Sequence, residues 1–278
     1  SEAEYQRTTA AIAARRRPAS WRGEHGRMMI IAADHPARGA LRAGPDPLAM
    51  GNRADLLRRI CTALERPGVN GVLGTPDILE DLLLLGALDD KVVIGSMNRG
   101  GLAGTVFELD DRFTGYDAQA IADSGFEGGK MLTRIDPNDP ATVVTLESCA
   151  DAVSDLARHR LMAMVEPFIS HRSDGRVRNE LTADAMVRAN AIAAGLGSTS
   201  AYTWLKVPIV DEMERAMAAT TLPALILGGE VAEDQQAAFA NWQKALALPT
   251  VQGLVIGRSL LYPPGDDVAT AVAPASRT

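Results

Sequence analysis

Cysteine is nearly absent: the 278 residues contain two, Cys61 and Cys149. Neither belongs to a closely spaced pair of the kind that binds zinc, so a disulfide scaffold and a zinc ribbon are both excluded and a reducing, cytoplasmic setting is expected. Aromatic residues amount to only 4%, which leaves the core to aliphatic side chains. Long apolar runs are missing as well. The longest, Leu82 to Leu85 with Ala87 and Leu88 beyond Gly86, falls far short of the roughly 20 residues of a membrane span, so no membrane partner is expected. Positive charge is in deficit, 28 Lys+Arg against 35 Asp+Glu for a net charge of -7. A field of that sign repels polyphosphate backbones, and no nucleic-acid partner is expected. The one basic cluster, Arg15, Arg16 and Arg17, is not followed by an apolar segment that could act as a signal-peptide core, and it reads as a solvated helix end. The four histidines, His25, His35, His159 and His171, form no HExxH-type signature, so neither a metal nor another cofactor is expected.

What is present is an ordinary globular composition, 46% hydrophobic and 23% charged, in a chain long enough for two average domains or one large barrel. Short aliphatic runs recur at Met28–Ala33, Val69–Leu73, Val92–Gly95, Lys130–Ile135, Leu161–Val165, Tyr202–Val207, Ala224–Leu227 and Leu254–Ile256. They lack the polar alternation of a half-exposed sheet, as parallel strands buried on both faces do. Helical spacing lies between them. Leu57, Ile60, Cys61 and Leu64 share one face, as do Leu146, Ala150, Val153 and Ala157, and Ala238, Trp242 and Ala245. Thr75-Pro76-Asp77 reads as an N-cap with a first-turn proline and acid.

Eight strand candidates alternating with helices predict a single α/β domain, a (β/α)8 TIM barrel over residues 1–278 with an N-terminal extra helix. The competing doubly wound sheet often opens with a glycine fingerprint after its first strand; here that place holds Asp34-His35-Pro36-Ala37-Arg38-Gly39. Residues 1–27 read as the extra helix and a polar lead-in, Thr105–Arg112 as an insertion, and residues 266–278 as a flexible tail.

Active sites of such barrels are built at the C-terminal ends of the strands. Lys206, inside the aliphatic run Thr203-Trp204-Leu205-Lys206-Val207-Pro208, is the sharpest signal there. Burial disfavours an ammonium, and a neutral lysine amine can attack a carbonyl and form a Schiff base. Lys130 sits in a second aliphatic strand, and Glu166 on the strand between could offset charge and shuttle protons. A buried structural Lys-Glu pair is the alternative for this set. Gly228 and Gly229 after the seventh strand, with Gly257 and Arg258 after the eighth, stand where barrels often cradle a phosphoryl group. His35, Asn98 and Arg134, also at strand ends, are candidate substrate contacts.

In order along the chain, Asp34, Gly-Gly-Lys130-Met-Leu, Val-Glu166-Pro, Leu-Lys206-Val-Pro and Gly257-Arg258 resemble class I, Schiff-base aldolases of the deoxyribose-phosphate aldolase-like superfamily, most of all the tagatose-bisphosphate and sulfofructose-phosphate branch. The resemblance implies that Lys206 is the Schiff-base lysine, that Lys130 and Glu166 are its catalytic partners, and that Asp34 meets substrate hydroxyls. It implies a phosphorylated keto-sugar or keto-sugar acid as substrate, with 2-deoxy-5-keto-gluconate 6-phosphate, sulfofructose 1-phosphate and tagatose 1,6-bisphosphate as candidates. Dihydroxyacetone phosphate and an aldehyde would be the products, and a homo-oligomer is expected. Deoxyribose-phosphate aldolases carry a further lysine on strand seven; here that strand reads Leu225-Ile226-Leu227-Gly228-Gly229, which disfavours deoxyribose phosphate. A barrel that binds a sugar phosphate without chemistry, as a sensor or docking protein, is the other functional reading.

Overall fold

The computed structural model describes residues 1–23, 25–229 and 231–277. In chain order its strands are β1 (Met28–Ala32), β2 (Gly71–Gly74), β3 (Val92–Ser96), β4 (Gly128–Ile135), β5 (Met162–Ser173), β6 (Arg176–Asn179), β7 (Thr203–Val207), β8 (Ala224–Leu227) and β9 (Val251–Ile256). All but β6 are parallel, β1 pairs with β9, and β4 pairs with β5, so eight strands close into a barrel. The helices are α1 (Glu2–Ala14), α2 (Arg53–Leu64), α3 (Pro76–Leu84), α4 (Ala118–Asp123), α5 (Ala141–Arg158), α6 (Ala183–Ala194), α7 (Met213–Met217), α8 (Gln235–Leu246), α9 (Arg258–Leu261) and α10 (Val268–Ala275). The arrangement is the expected (β/α)8 barrel with an extra N-terminal helix, α1. Among the described residues no helix is long and apolar enough to cross a membrane.

Burial on both faces explains the unbroken apolar strands. Ile30, Ile94, Met164, Leu225 and Val255 fill the barrel interior, whereas Ile31, Val93, Val165, Ile226 and Ile256 pack outward in the layer shared with the helices. Trp21 of the lead-in packs against the interior cluster, edge-on to Trp204 with ring centroids 6.4 Å apart. Pro76 opens α3 after Thr75, as expected, although the Thr75 hydroxyl bonds the Asp77 carboxylate at 2.6 Å instead of capping a backbone N–H.

Four features differ from the expectations. The arginine cluster is a solvated helix end only in part: Arg16 and Arg17 are exposed, whereas the Arg15 side chain is not. The Arg15 side chain is buried, donates to the carbonyls of Leu88, Lys91 and Gly125, and pairs with Glu127 at 2.5 Å, while Arg17 reaches the same carboxylate at 3.0 Å. Together they fasten the lead-in across the starts of β3 and β4. The tail is not frayed either: Val268, Ala271, Val272 and Ala275 form the buried stripe of α10, capped by Asp267. That i, i+3, i+4, i+7 spacing was masked by small residues. The buried face of α5 is Thr142, Thr145, Cys149, Ala152, Val153 and Leu156, rotated by about one position from the expected one, with Thr142 and Thr145 bonding the Asp136 and Leu109 carbonyls. Finally, β5 runs on to Ser173 and turns back through Asp174-Gly175, both at positive φ, into antiparallel β6.

Candidate active site

Five charged side chains meet at the C-terminal end of the barrel. Asp34 lies two residues beyond β1 and Arg99 three residues beyond β3, and β4, β5 and β7 contribute Lys130, Glu166 and Lys206. Strand alternation aims them inward: the neighbour of Lys130, Met131, belongs to the outer layer, as do Val165 beside Glu166 and both Leu205 and Val207 around Lys206. All five are buried.

Their charges alternate. Arg99 donates to Asp34 Oδ2 at 3.0 Å and also to the Asp34 carbonyl; Lys130 Nζ lies 3.2 Å from that Oδ2 and 2.9 Å from Glu166 Oε1; Lys206 Nζ lies 3.3 Å from Glu166 Oε2. The Ser96 hydroxyl, at the end of β3, adds a third donor to Asp34 Oδ2 at 3.0 Å. Lys206 is the terminal member of this chain. Burial works against the ionised form of Glu166, but the Lys130 and Lys206 ammonium groups outweigh it and pull the carboxyl down to about 2. For Asp34 burial is likewise overcome, by Arg99 first and then Lys130 and Lys206, and its carboxyl is held well below the usual range. Burial lowers Lys130, with Asp34 and Glu166 opposing the shift. The result is two firmly ionised carboxylates sharing one central lysine, with the second lysine at the edge. Such a set can present an amine to a carbonyl and relay protons beside it.

The phosphate candidates lie on the opposite arc. Gly228 and Gly229 follow β8, with Gly229 in the left-handed region at φ 70°. A Cβ at Gly228 would come within 2.8 Å of Ile256, and one at Gly257 within 2.6 Å of the Ala32 carbonyl and 2.9 Å of His35. Glycine is therefore what lets the β8 turn, the β9–α9 junction and the loop after β1 approach each other. Arg258 opens α9 and donates to the Arg42 carbonyl at 3.3 Å. His35 is half-buried, and burial, offset in part by Asp34 and reinforced by Arg258, lowers its imidazole to about 3, so it is neutral.

Two expected substrate contacts are otherwise engaged. The Asn98 amide accepts from Leu132 N at 2.8 Å and donates to Leu132 O at 2.6 Å, stitching the loop after β3 onto β4. Arg134 donates to the Glu108 carboxylate at 3.0 Å and to its carbonyl at 2.8 Å, holding down the insertion. Arg38 completes that brace through Asp111 at 2.6 Å. The partners of Arg134 and Arg38 come from the insertion, a segment whose fold has no sequence signature. Arg99 and Ser96 were missed as site residues, although both stand at a barrel strand's C-terminal end, the one place where a polar residue needs a reason. Among the described residues, no group of three or more His, Cys, Asp or Glu side chains is arranged to hold a metal ion.

A family description, Cgl0159-like, matches residues 26–276. The crystal structure of Cgl0159 from Corynebacterium glutamicum is 52% identical and superposes with a TM-score of 0.96, covering 99% of this chain and 92% of that one. A Schiff base forming fructose-1,6-bisphosphate aldolase is 17% identical with a TM-score of 0.65, over 97% of this chain and 98% of that one. An archaeal fructose-1,6-bisphosphate aldolase, with its catalytic Lys covalently bound to the carbinolamine intermediate of the substrate, is 16% identical with a TM-score of 0.66 at the same coverage. At such identities the aldolases share the barrel. No curated protein sequence matches significantly.

Proposed function

The chain belongs to the Cgl0159-like family, and for it we propose a class I aldolase that cleaves a phosphorylated keto-sugar or keto-sugar acid into dihydroxyacetone phosphate and an aldehyde. The observation that carries this reading is the buried array Lys206–Glu166–Lys130–Asp34, in which one carboxylate lies 2.9 and 3.3 Å from two lysine amines. A barrel that only bound sugar phosphates would have no use for two buried lysines sharing a carboxylate, because each ammonium costs free energy to desolvate.

With carbons counted from the phosphorylated end next to the ketone, so that the numbers hold for all three candidates, Lys206, once deprotonated, adds to the C2 ketone of the substrate, and the carbonyl oxygen leaves as water after protonation, giving an iminium. The C3–C4 bond then breaks with its electron pair flowing into the iminium, the C4 hydroxyl proton passing to a base as the aldehyde departs. Protonation of the resulting enamine at C3 and hydrolysis release dihydroxyacetone phosphate and restore the amine. Glu166 touches Lys206 and is placed to take and return these protons. Lys130, between Glu166 and Asp34, holds both carboxylates ionised and in position. Asp34 faces the substrate hydroxyls near the bond that breaks. The turns at Gly228, Gly229 and Gly257, together with Arg258, receive the phosphoryl group with backbone N–H groups and a guanidinium.

The resemblance to the tagatose-bisphosphate and sulfofructose-phosphate branch names the first substrates to try: tagatose 1,6-bisphosphate, sulfofructose 1-phosphate and 2-deoxy-5-keto-gluconate 6-phosphate. Release of dihydroxyacetone phosphate, followed by its coupled reduction, is the assay. Lys206→Met should abolish turnover of whichever ketose is cleaved and leave a folded barrel, because an apolar chain of similar length replaces the amine in an apolar strand. Turnover that survives in this variant would refute the Schiff-base reading.

A further inference from the structure

The opposite, N-terminal end of the barrel holds a cavity of about 420 Å³. Its polar rim is cationic: Arg27 just before β1, Arg66 just after α2, Arg277 just after α10, and His25. Arginines elsewhere in this acidic chain find carboxylates, as Arg53 does in Asp77 at 2.5 Å, Arg215 in Asp184 at 2.6 Å and Arg59 in Asp266 at 2.6 Å. Around the cavity the pattern breaks. Arg66 Nε is buried with no hydrogen-bond partner, and none of the three arginines forms an ion pair among the described residues. The carboxylate that senses Arg66, Asp267, is committed to the α10 cap, accepting from Thr270 N at 3.1 Å and Thr270 Oγ1 at 2.7 Å. The Asn70 side chain, also on the wall, is occupied by Met29 N at 2.6 Å and the Trp21 carbonyl at 3.1 Å. What the cavity offers a ligand is therefore guanidinium, three times over, above an apolar floor that includes Met28 and Leu254.

We propose that this cavity is a second ligand site, taking a small phosphate-bearing metabolite whose phosphoryl group is held by Arg27 and Arg66. Guanidinium forks match tetrahedral oxyanions, and several unneutralised ones around one concavity favour a dianion over a carboxylate. The volume exceeds that of a lone phosphate and suits a molecule with a short carbon skeleton. The site is separated from the aldolase array by the length of the barrel. Occupancy would tie together the starts of β1 and β9 and the ends of α2 and α10, so binding should raise the melting temperature.

Inorganic phosphate is the probe. Thermal unfolding is followed as phosphate replaces chloride at constant ionic strength, in the wild type and in Arg27→Ala, Arg66→Gln and Arg258→Ala. The wild type and Arg258→Ala should both gain stability with phosphate. Arg27→Ala and Arg66→Gln should require at least tenfold more phosphate for the same gain, the loss expected when one charge-assisted contact is removed, while keeping wild-type aldol cleavage and wild-type melting in chloride. A phosphate response that is unchanged in Arg27→Ala and Arg66→Gln, or that vanishes in Arg258→Ala alone, would overturn the proposal and leave the mouth of the barrel as the only phosphate site. That result would not touch the aldolase reading, which stands or falls on Lys206.

Discussion

Replacing Glu166 by Gln keeps the shape of the side chain and deletes its charge, leaving the ammonium groups of Lys130 and Lys206 facing each other without the carboxylate that lies 2.9 and 3.3 Å from them. Two routes give the size of the effect. Removing one member of a buried ion pair costs roughly 3–5 kcal/mol. Independently, a carboxyl pulled from an ordinary 4.5 to about 2 contributes on the order of 3 kcal/mol at neutral pH, at ~1.4 kcal/mol per unit. The sign follows from the direction: the folded-state value lies below the unfolded one, so the contribution is complete above the unfolded value and is lost as pH falls through about 2. Urea unfolding of both proteins should show a gap of about 3 kcal/mol at neutral pH that shrinks on acidification and reaches roughly half near pH 3. Turnover should fall by about two to four powers of ten, the usual worth of a positioned proton-transfer group. A variant as stable as the wild type at neutral pH, or a gap that does not change with acidification, would refute the charge alternation described for the site.

Lys130→Met should lower the rate while costing less stability than the Glu166 change, on the order of 1–2 kcal/mol, because Asp34 keeps Arg99 and Glu166 keeps Lys206; melting temperature and kcat measured on the same preparation check this. Arg258→Ala should raise KM for the phosphorylated substrate and reduce kcat/KM by about tenfold to a hundredfold with a smaller change in kcat, as loss of uniform binding does. Asn98→Ala should strip both hydrogen bonds from the Leu132 backbone and destabilise the protein by about 2–3 kcal/mol, which urea unfolding measures; a variant of unchanged stability would return Asn98 to the substrate side.

The barrel was legible because parallel strands buried on both faces leave unbroken apolar runs, and all eight runs correspond to barrel strands. Strand β6 was not, because Arg176–Asn179 is largely exposed and polar; its one local signal is the Asp174-Gly175 turn. Lys130, Glu166 and Lys206 could be read for the same reason that the strands could, since a charge inside an aliphatic run stands out. Arg99 and Ser96 carried only the weaker signal of a polar residue at the end of β3 or just beyond it, and what they do shows once Asp34 Oδ2 is seen 3.0 Å from each. Asn98 and Arg134 show a related gap: position at a strand end says that a side chain is near the mouth, but the hydrogen bonds that engage them, Asn98 to the Leu132 backbone on β4 and Arg134 to Glu108 of the insertion, become visible only once the loops after β3 are folded. The lead-in arginines show the limit most plainly. Three basic residues in a row are usually solvated, as Arg16 is here, and only the arrival of Glu127, 112 residues along from Arg15, turns Arg15 and Arg17 into a clamp.

In the proposed reaction the Lys206 amine forms a covalent bond with a ketose phosphate. Sodium borohydride added to the protein in the presence of dihydroxyacetone phosphate reduces any iminium to a stable secondary amine, and peptide mass spectrometry locates it. One adduct of reduced dihydroxyacetone phosphate is expected on the peptide containing Lys206, with loss of activity in proportion and no adduct in Lys206→Met; a wild-type enzyme that turns over its ketose yet carries no adduct, or carries it on Lys130 instead, would refute the Schiff base at Lys206.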